Sequence, residues 1–166
     1  MNIAILLPLK EKYTKIGGGA VSILVNTHLR KSKYKKTTRV YGSNIDRPLD
    51  SNVFCTLSSN KNFFSNSSYV KSFEKKILNK TDVIELHNRP RYFFHLKKKF
   101  PNKKFILFFH NNSLDLKGSQ TVTDRKYLYK ELDCLVFLSV WMKDQFFKDI
   151  KITNSKKIKI FYPGIE

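Results

Sequence analysis

The sequence predicts a single α/β domain built on a mostly parallel, doubly wound sheet of about seven strands with helices on both faces. Three observations carry that prediction. Apolar runs of strand length recur along the 166 residues, stretches with apolar residues at three- and four-residue spacing separate most of them, and polar or glycine-rich segments follow the strands. Alternation of this kind calls for parallel neighbours joined by right-handed crossovers. The length and the 41% hydrophobic content suit one sizeable core.

Ile3-Ala4-Ile5-Leu6-Leu7, closed by Pro8, reads as a buried first strand. A loop with Lys10, Lys12 and Lys15 leads to Gly17-Gly18-Gly19. Ala20, Val21, Leu24, Val25, His28 and Leu29 then recur at helical spacing. Arg39–Gly42 and Val53–Leu57 read as the second and third strands, divided by the turn-rich stretch 43–50. Ser58 to Ser68 is polar and reads as a loop; Tyr69, Val70, Phe73 and Ile77 return to helical spacing. Asp82–His87 is the next strand, ended by Asn88-Arg89-Pro90, and Tyr92, Phe93, Leu96 and Phe100 form a helix stopped by Pro101. Phe105–Phe109 is almost continuously apolar, as a strand covered on both faces must be. A loop from His110 to Gln120 precedes a helix over Thr121–Leu132, then a strand at Leu135–Leu138, a helix at Val140–Phe147 and a last strand at Ile158–Phe161. Residues 1–162 thus form one Rossmann-like domain.

A formal charge of +19 and a pI near 10.0 favour polyanions or an anionic membrane face as partners. The cations are overwhelmingly Lys, accompanied by many Asn, Ile, Phe and Tyr residues, a mixture that codon bias alone can produce. No zinc-finger spacing, aromatic RNA-binding run or basic zipper is present, so no specific nucleic acid is expected as partner. No apolar run reaches membrane-spanning length and no basic segment precedes the first apolar run, which predicts a soluble cytoplasmic protein. Cys55 and Cys134 stand alone in apolar strands, without CxxC spacing, and read as buried free thiols.

In an open parallel sheet ligands collect at the carboxyl ends of the strands, near the reversal in strand order. Three loops there carry suitable groups: glycine amides in Pro8–Gly19, then His87, Asn88 and Arg89, then His110, Asn111, Asn112 and Ser113. Amides and imidazoles of this kind suit phosphates and sugar hydroxyls. The glycines also admit a purely structural reading, a tight helix entry, since the GxGxxG fingerprint is not met; either His could merely tie its strand to a neighbouring loop. No GxSxG elbow, paired carboxylates or metal-ligand spacing is present. No metal is expected, and Glu85 reads as a residue within a strand pattern.

Taken in order, these segments resemble the N-terminal half of family 4 glycosyltransferases of the GT-B fold. The resemblance runs through Gly17-Gly18-Gly19, Asp82-Val83-Ile84-Glu85-Leu86-His87-Asn88-Arg89-Pro90, Phe108-Phe109-His110-Asn111-Asn112, Lys117-Gly118-Ser119 with Arg125, Asp133–Ser139 and Tyr162-Pro163-Gly164-Ile165-Glu166. It implies a retaining transferase that uses a nucleotide-sugar donor, a UDP- or GDP-sugar, and a glycan or lipid-linked, lipopolysaccharide-like acceptor. By that resemblance Gly17, Gly18 and Gly19 lie near the donor diphosphate and His110 lies against the transferred sugar as the catalytic residue. His87, Asn88, Arg89, Asn111, Asn112 and Arg125 face the acceptor. The excess Lys would dock the protein peripherally on the inner face of the plasma membrane.

In that family a second, donor-binding domain follows a Pro-Gly hinge, and residues 163–166 match the start of one. The expectation is that a C-terminal GT-B domain, in cis or in trans, is needed for turnover. Two other readings remain: a basic polyanion- or anionic-membrane-binding module without catalysis, and a small Rossmann-like enzyme for a phosphorylated metabolite.

Overall fold

The computed structural model describes residues 1–57 and 65–162. Among the described residues there are seven strands: β1 (Ile3–Leu6), β2 (Thr38–Ser43), β3 (Phe54–Leu57), β4 (Val83–His87), β5 (Lys104–Phe109), β6 (Cys134–Phe137) and β7 (Ile158–Ile160). Five α-helices connect them: α1 (Ala20–Lys31), α2 (Asn66–Lys76), α3 (Pro90–Lys99), α4 (Val122–Glu131) and α5 (Val140–Phe147). All strands pair in parallel in the order β3-β2-β1-β4-β5-β6-β7. The predicted doubly wound α/β class is the observed one.

Period-two alternation divides each strand between two cores. Ala4, Leu6, Ile84, Leu86, Phe105, Leu107, Phe109, Leu135 and Phe137 point to the face covered by α2, α3, α4 and α5. Ile5, Leu7 and Val40 point to the other, against Val21, Val25 and Leu29 of α1. The larger core is aromatic: Phe109 stacks on Phe137 at 5.3 Å, and Phe146 leans on both. Each such ring, fully buried, contributes about 1.5–3 kcal/mol through area removed from water.

The order reverses between β1 and β4. The chain leaves β1 toward α1 on one face and leaves β4 toward α3 on the other, so a crevice opens at their carboxyl ends. His87, Asn88 and the start of α3 stand at that edge.

Two element boundaries differ from expectation for local reasons. The serine-rich stretch read as loop is helical from Asn66, because the Ser65 side chain accepts the Ser68 N–H as an N-cap. Pro90, read as a terminator, is the first residue of α3, where its missing N–H costs nothing. The rest of the predicted polar loop, 58–64, and the hinge residues 163–166 lie outside the described residues. Cys55 and Cys134 are free, as expected, but only half-buried.

Candidate functional site

Glu85 and His87 are two residues apart on β4 and therefore share a face, the one α1 covers in part. Glu85 Oε1 lies 2.8 Å from His87 Nε2, and His87 Nδ1 lies 2.8 Å from His110 Nε2 at the end of the adjacent strand β5. A carboxylate only accepts, so His87 Nε2 donates to it. With His87 neutral, its Nδ1 accepts the His110 Nε2–H, and His110 Nδ1 becomes the acceptor at the end of the line. Phe108 stacks on His87 at 4.7 Å and fixes the ring plane. The two histidines predicted from separate strand ends are thus joined, with a carboxylate behind them.

Burial, reinforced by the neighbouring His87, pushes the His110 imidazole down to about 3 from an ordinary 6.5. His110 is therefore neutral at physiological pH, suited to hydrogen bonding with hydroxyls rather than to charge pairing. His28 on α1 is pushed down by burial too, with Glu85 opposing and His87 adding to the effect. Its ring meets Phe161 edge-on at 4.3 Å.

Stability should follow the His110 proton. The unfolded chain takes one up near pH 6.5 that the folded chain refuses until about pH 3. The contribution is thus complete above 6.5 and is lost as pH falls through that window, by up to ~1.4 kcal/mol per pH unit. Urea unfolding should show His110→Gln losing about 1–2 kcal/mol less than wild type between about pH 7 and pH 5. Equal losses in the two proteins would rule His110 out as the group responsible.

The glycines sit where the sequence predicts, at the entry to α1, but the helix end is not vacant. Glu11 Oε1 accepts the Ser22 N–H at 2.9 Å, an internal anion capping α1. A Cβ at Gly19 would meet both Glu11 carboxylate oxygens at 2.6 Å, and one at Gly18 would collide with the Thr14 carbonyl oxygen. Gly17 has φ +73 with open space around it. Two of the three glycines therefore admit a close approach by the chain itself. Glu11→Gln is expected to cost roughly 0.5–1 kcal/mol in thermal unfolding, as removal of a negative charge beside a helix N-terminus does; no change would mean that the carboxylate charge contributes nothing to the cap.

The residues expected to face the acceptor separate into different roles. His87 is buried within the hydrogen-bonded line. Asn88, at φ 51, spends its side-chain oxygen on the amides of His110 and Asn111, fixing the turn that presents His110. Asn112 caps the short turn Ser113–Asp115 through the Leu114 N–H, and Asn111 is exposed beside it. Arg125 is 2% exposed, and its guanidinium donates to the carbonyls of Phe146, Ser119, Gln120 and Lys148. Its donors are committed to the fold.

Arg89 is the charged member of this set that borders open space beside other charged groups. It lines a cavity of about 690 Å³ between α2, α3 and residues 115–117, together with Asn66, Ser67, Tyr92, Arg91, His95 and Lys117. Sequence reasoning missed Glu85, although the Glu-X-His alternation on a strand is a readable signal for a shared face. It also missed Arg91, His95 and Lys117, whose convergence only the packing of α3 reveals. Among the described residues no cluster of three or more His, Cys, Asp or Glu is arranged to hold a metal, and no helix is long and apolar enough to cross a membrane. No protein-family model matches the chain, and no curated protein is significantly similar to it.

Proposed function

We propose that this chain is the acceptor-side domain of a retaining glycosyltransferase, acting with a donor-binding domain supplied in cis or in trans. The Glu85–His87–His110 line carries the reading: a neutral imidazole held by a buried chain of hydrogen bonds at the carboxyl edge of a parallel sheet. A neutral His110 offers one ring nitrogen to a sugar hydroxyl without adding charge to the site. Asn88 and His87 act on the reaction through His110, as positioning residues. The donor is a UDP- or GDP-sugar whose diphosphate would approach the amides at α1, where Glu11 now sits; displacement of that carboxylate belongs to the proposal.

The test is sugar transfer from UDP- and GDP-hexoses to glycan acceptors by the chain supplied with a donor-binding GT-B domain. Transfer should fall by about 10²-fold or more in His110→Ala. Undiminished transfer in that variant, or transfer that never exceeds that of the donor domain alone, would overturn the reading.

The charge of +19 favours a second reading, a basic module for polyanions or an anionic membrane without catalysis. Indiscriminate DNA or vesicle binding that weakens steeply with salt, unaccompanied by any transfer, would select it.

A further inference from the structure

The cavity between α2, α3 and residues 115–117 lies on the opposite face of the sheet from the Glu85–His87–His110 line, and Asn88 borders both. A second open groove lies along the outer side of α3 and shares Arg91, His95 and Lys117 with the cavity; Lys98, Gln120 and Asp124 also line this second groove. The two grooves are lined by four cations, Arg89, Arg91, Lys98 and Lys117, and by two carboxylates, Asp115 and Asp124. A third acid, Glu74, is held 2.6 Å from His95. Asp124 stands in the first turn of α4, where the helix end offsets its charge.

The wall is built rather than incidental. Gly118, at φ +94, lets residues 116–120 press on α3: a Cβ there would meet Arg91 Cγ at 2.9 Å and the Arg91 backbone nitrogen at 3.0 Å. This contact brings the segment that carries Lys117 against the residue Arg91 of α3, and both line the cavity. The Arg89 Nη1 donates to the Asn88 carbonyl at 2.7 Å, which anchors that guanidinium at the cavity mouth. The remaining lining is amide, hydroxyl and small apolar surface: Asn66, Ser67, Tyr92, Val70 and Leu116. The first turns of α2 and α3 border the cavity and carry no acidic residue, which leaves Asp115 as the acid of the cavity wall that opposes an anion.

We infer that this groove is the seat of a phosphate-bearing saccharide, its phosphate held between Arg89, Arg91 and Lys117 and its sugar against Asn66, Ser67 and Tyr92. Planar guanidinium forks match a phosphate better than a lysine-rich surface would. A cavity of about 690 Å³ fits a small ligand rather than a duplex. The saccharide half of the assignment rests on the transferase reading and names its acceptor class as acidic. The anion half stands by itself.

The test is titration of the isotope-labelled full chain at physiological salt with a hexose 1-phosphate, the free hexose, inorganic pyrophosphate and duplex DNA, followed by amide NMR. The hexose phosphate is expected to move the amides of Asn66, Ser67, Arg91 and Lys117, with the free hexose at least about tenfold weaker. The double variant Arg91→Gln, Lys117→Gln should lose about tenfold or more in affinity while its melting temperature holds, because both side chains are exposed. Gly118→Ala gives a second handle: it displaces residues 116–120 and should weaken the same ligand with both charges retained. Equal binding of the free hexose, DNA moving the same amides at lower concentration, or full affinity in the double variant would each overturn the site. Transfer with no anion binding at these amides sinks the groove and leaves the transferase reading. Hexose phosphate binding with no transfer does the reverse.

Discussion

Arg125→Met is expected to lower the melting temperature by roughly 6–20 °C without weakening any anion ligand. Arg125 leaves α4 and enters the space between α5 and residues 119–120. There its Nε donates to the Phe146 carbonyl at 2.7 Å, Nη2 to Lys148 at 3.0 Å, and Nη1 to Gln120 at 2.9 Å with Ser119 further off. Two of these carbonyls close the last turn of α5 (Val140–Phe147), which has no basic residue of its own there, so the guanidinium caps that helix from outside. Methionine keeps much of the volume and strands the acceptors. Hydrogen bonds from a charged donor that leave buried partners unsatisfied cost about 3–5 kcal/mol in sum when removed, and a domain of this size loses roughly 2–4 °C per kcal/mol. Arg125→Lys should recover little, because one ammonium cannot span carbonyls that a planar fork bridges. Thermal unfolding decides the matter. A wild-type midpoint in Arg125→Met would show that these contacts do not hold α4 to α5, and a selective loss of hexose phosphate affinity would return Arg125 to a binding role.

Arg125 illustrates where the sequence is legible and where it is not. Strands β5 and β6 announce themselves because a parallel strand covered on both faces must be apolar over nearly its whole length, and α5 shows itself beyond the second of them. Direction of burial is harder. Arg125 has the same helical surroundings in sequence whether it turns outward to an anion or inward to four carbonyls, and only the distance to the end of α5 decides. The resemblance makes His87-Asn88-Arg89 one acceptor-facing unit, yet three successive residues at a strand end diverge: His87 toward the α1 face, Asn88 back to the amides after β5, and Arg89 toward the cavity beside α3. The sequence of the glycines suggests an anion cradle, and the anion seated there is Glu11, eight residues before Gly19. Spacing predicts that a helix end will want a negative charge, but it does not say which group supplies it.

Glu85→Gln is expected to be the most damaging conservative change to the proposed transfer reaction while leaving the fold intact. Glu85 is 18% exposed and makes one strong contact, to His87 Nε2 at 2.8 Å. An amide at that place can still bond the ring, so the cost in stability should stay within about 1 kcal/mol. What changes is direction. The carboxylate can only accept, which forces His87 to donate from Nε2 and, when neutral, to accept from His110 at Nδ1. The glutamine can present either its oxygen or its NH₂, and His87 is then free to carry its proton on either nitrogen. His110 loses the partner that held its Nε2–H, and its Nδ1 no longer stays an acceptor for substrate. Nitrogen NMR of the imidazoles should pass from one tautomer to a mixture at His87 and His110 in a protein of unchanged amide spectrum. If His110 contacts the transferred sugar, kcat should fall on the order of 10²-fold or more with little change in KM, as when the carboxylate behind a catalytic imidazole is neutralised. Glu85→Asp, which keeps the acceptor and shortens the reach, should preserve the tautomer and retain more of the rate. A single unchanged tautomer in Glu85→Gln would show that the Glu85 carboxylate does not fix which nitrogen of His110 carries the proton.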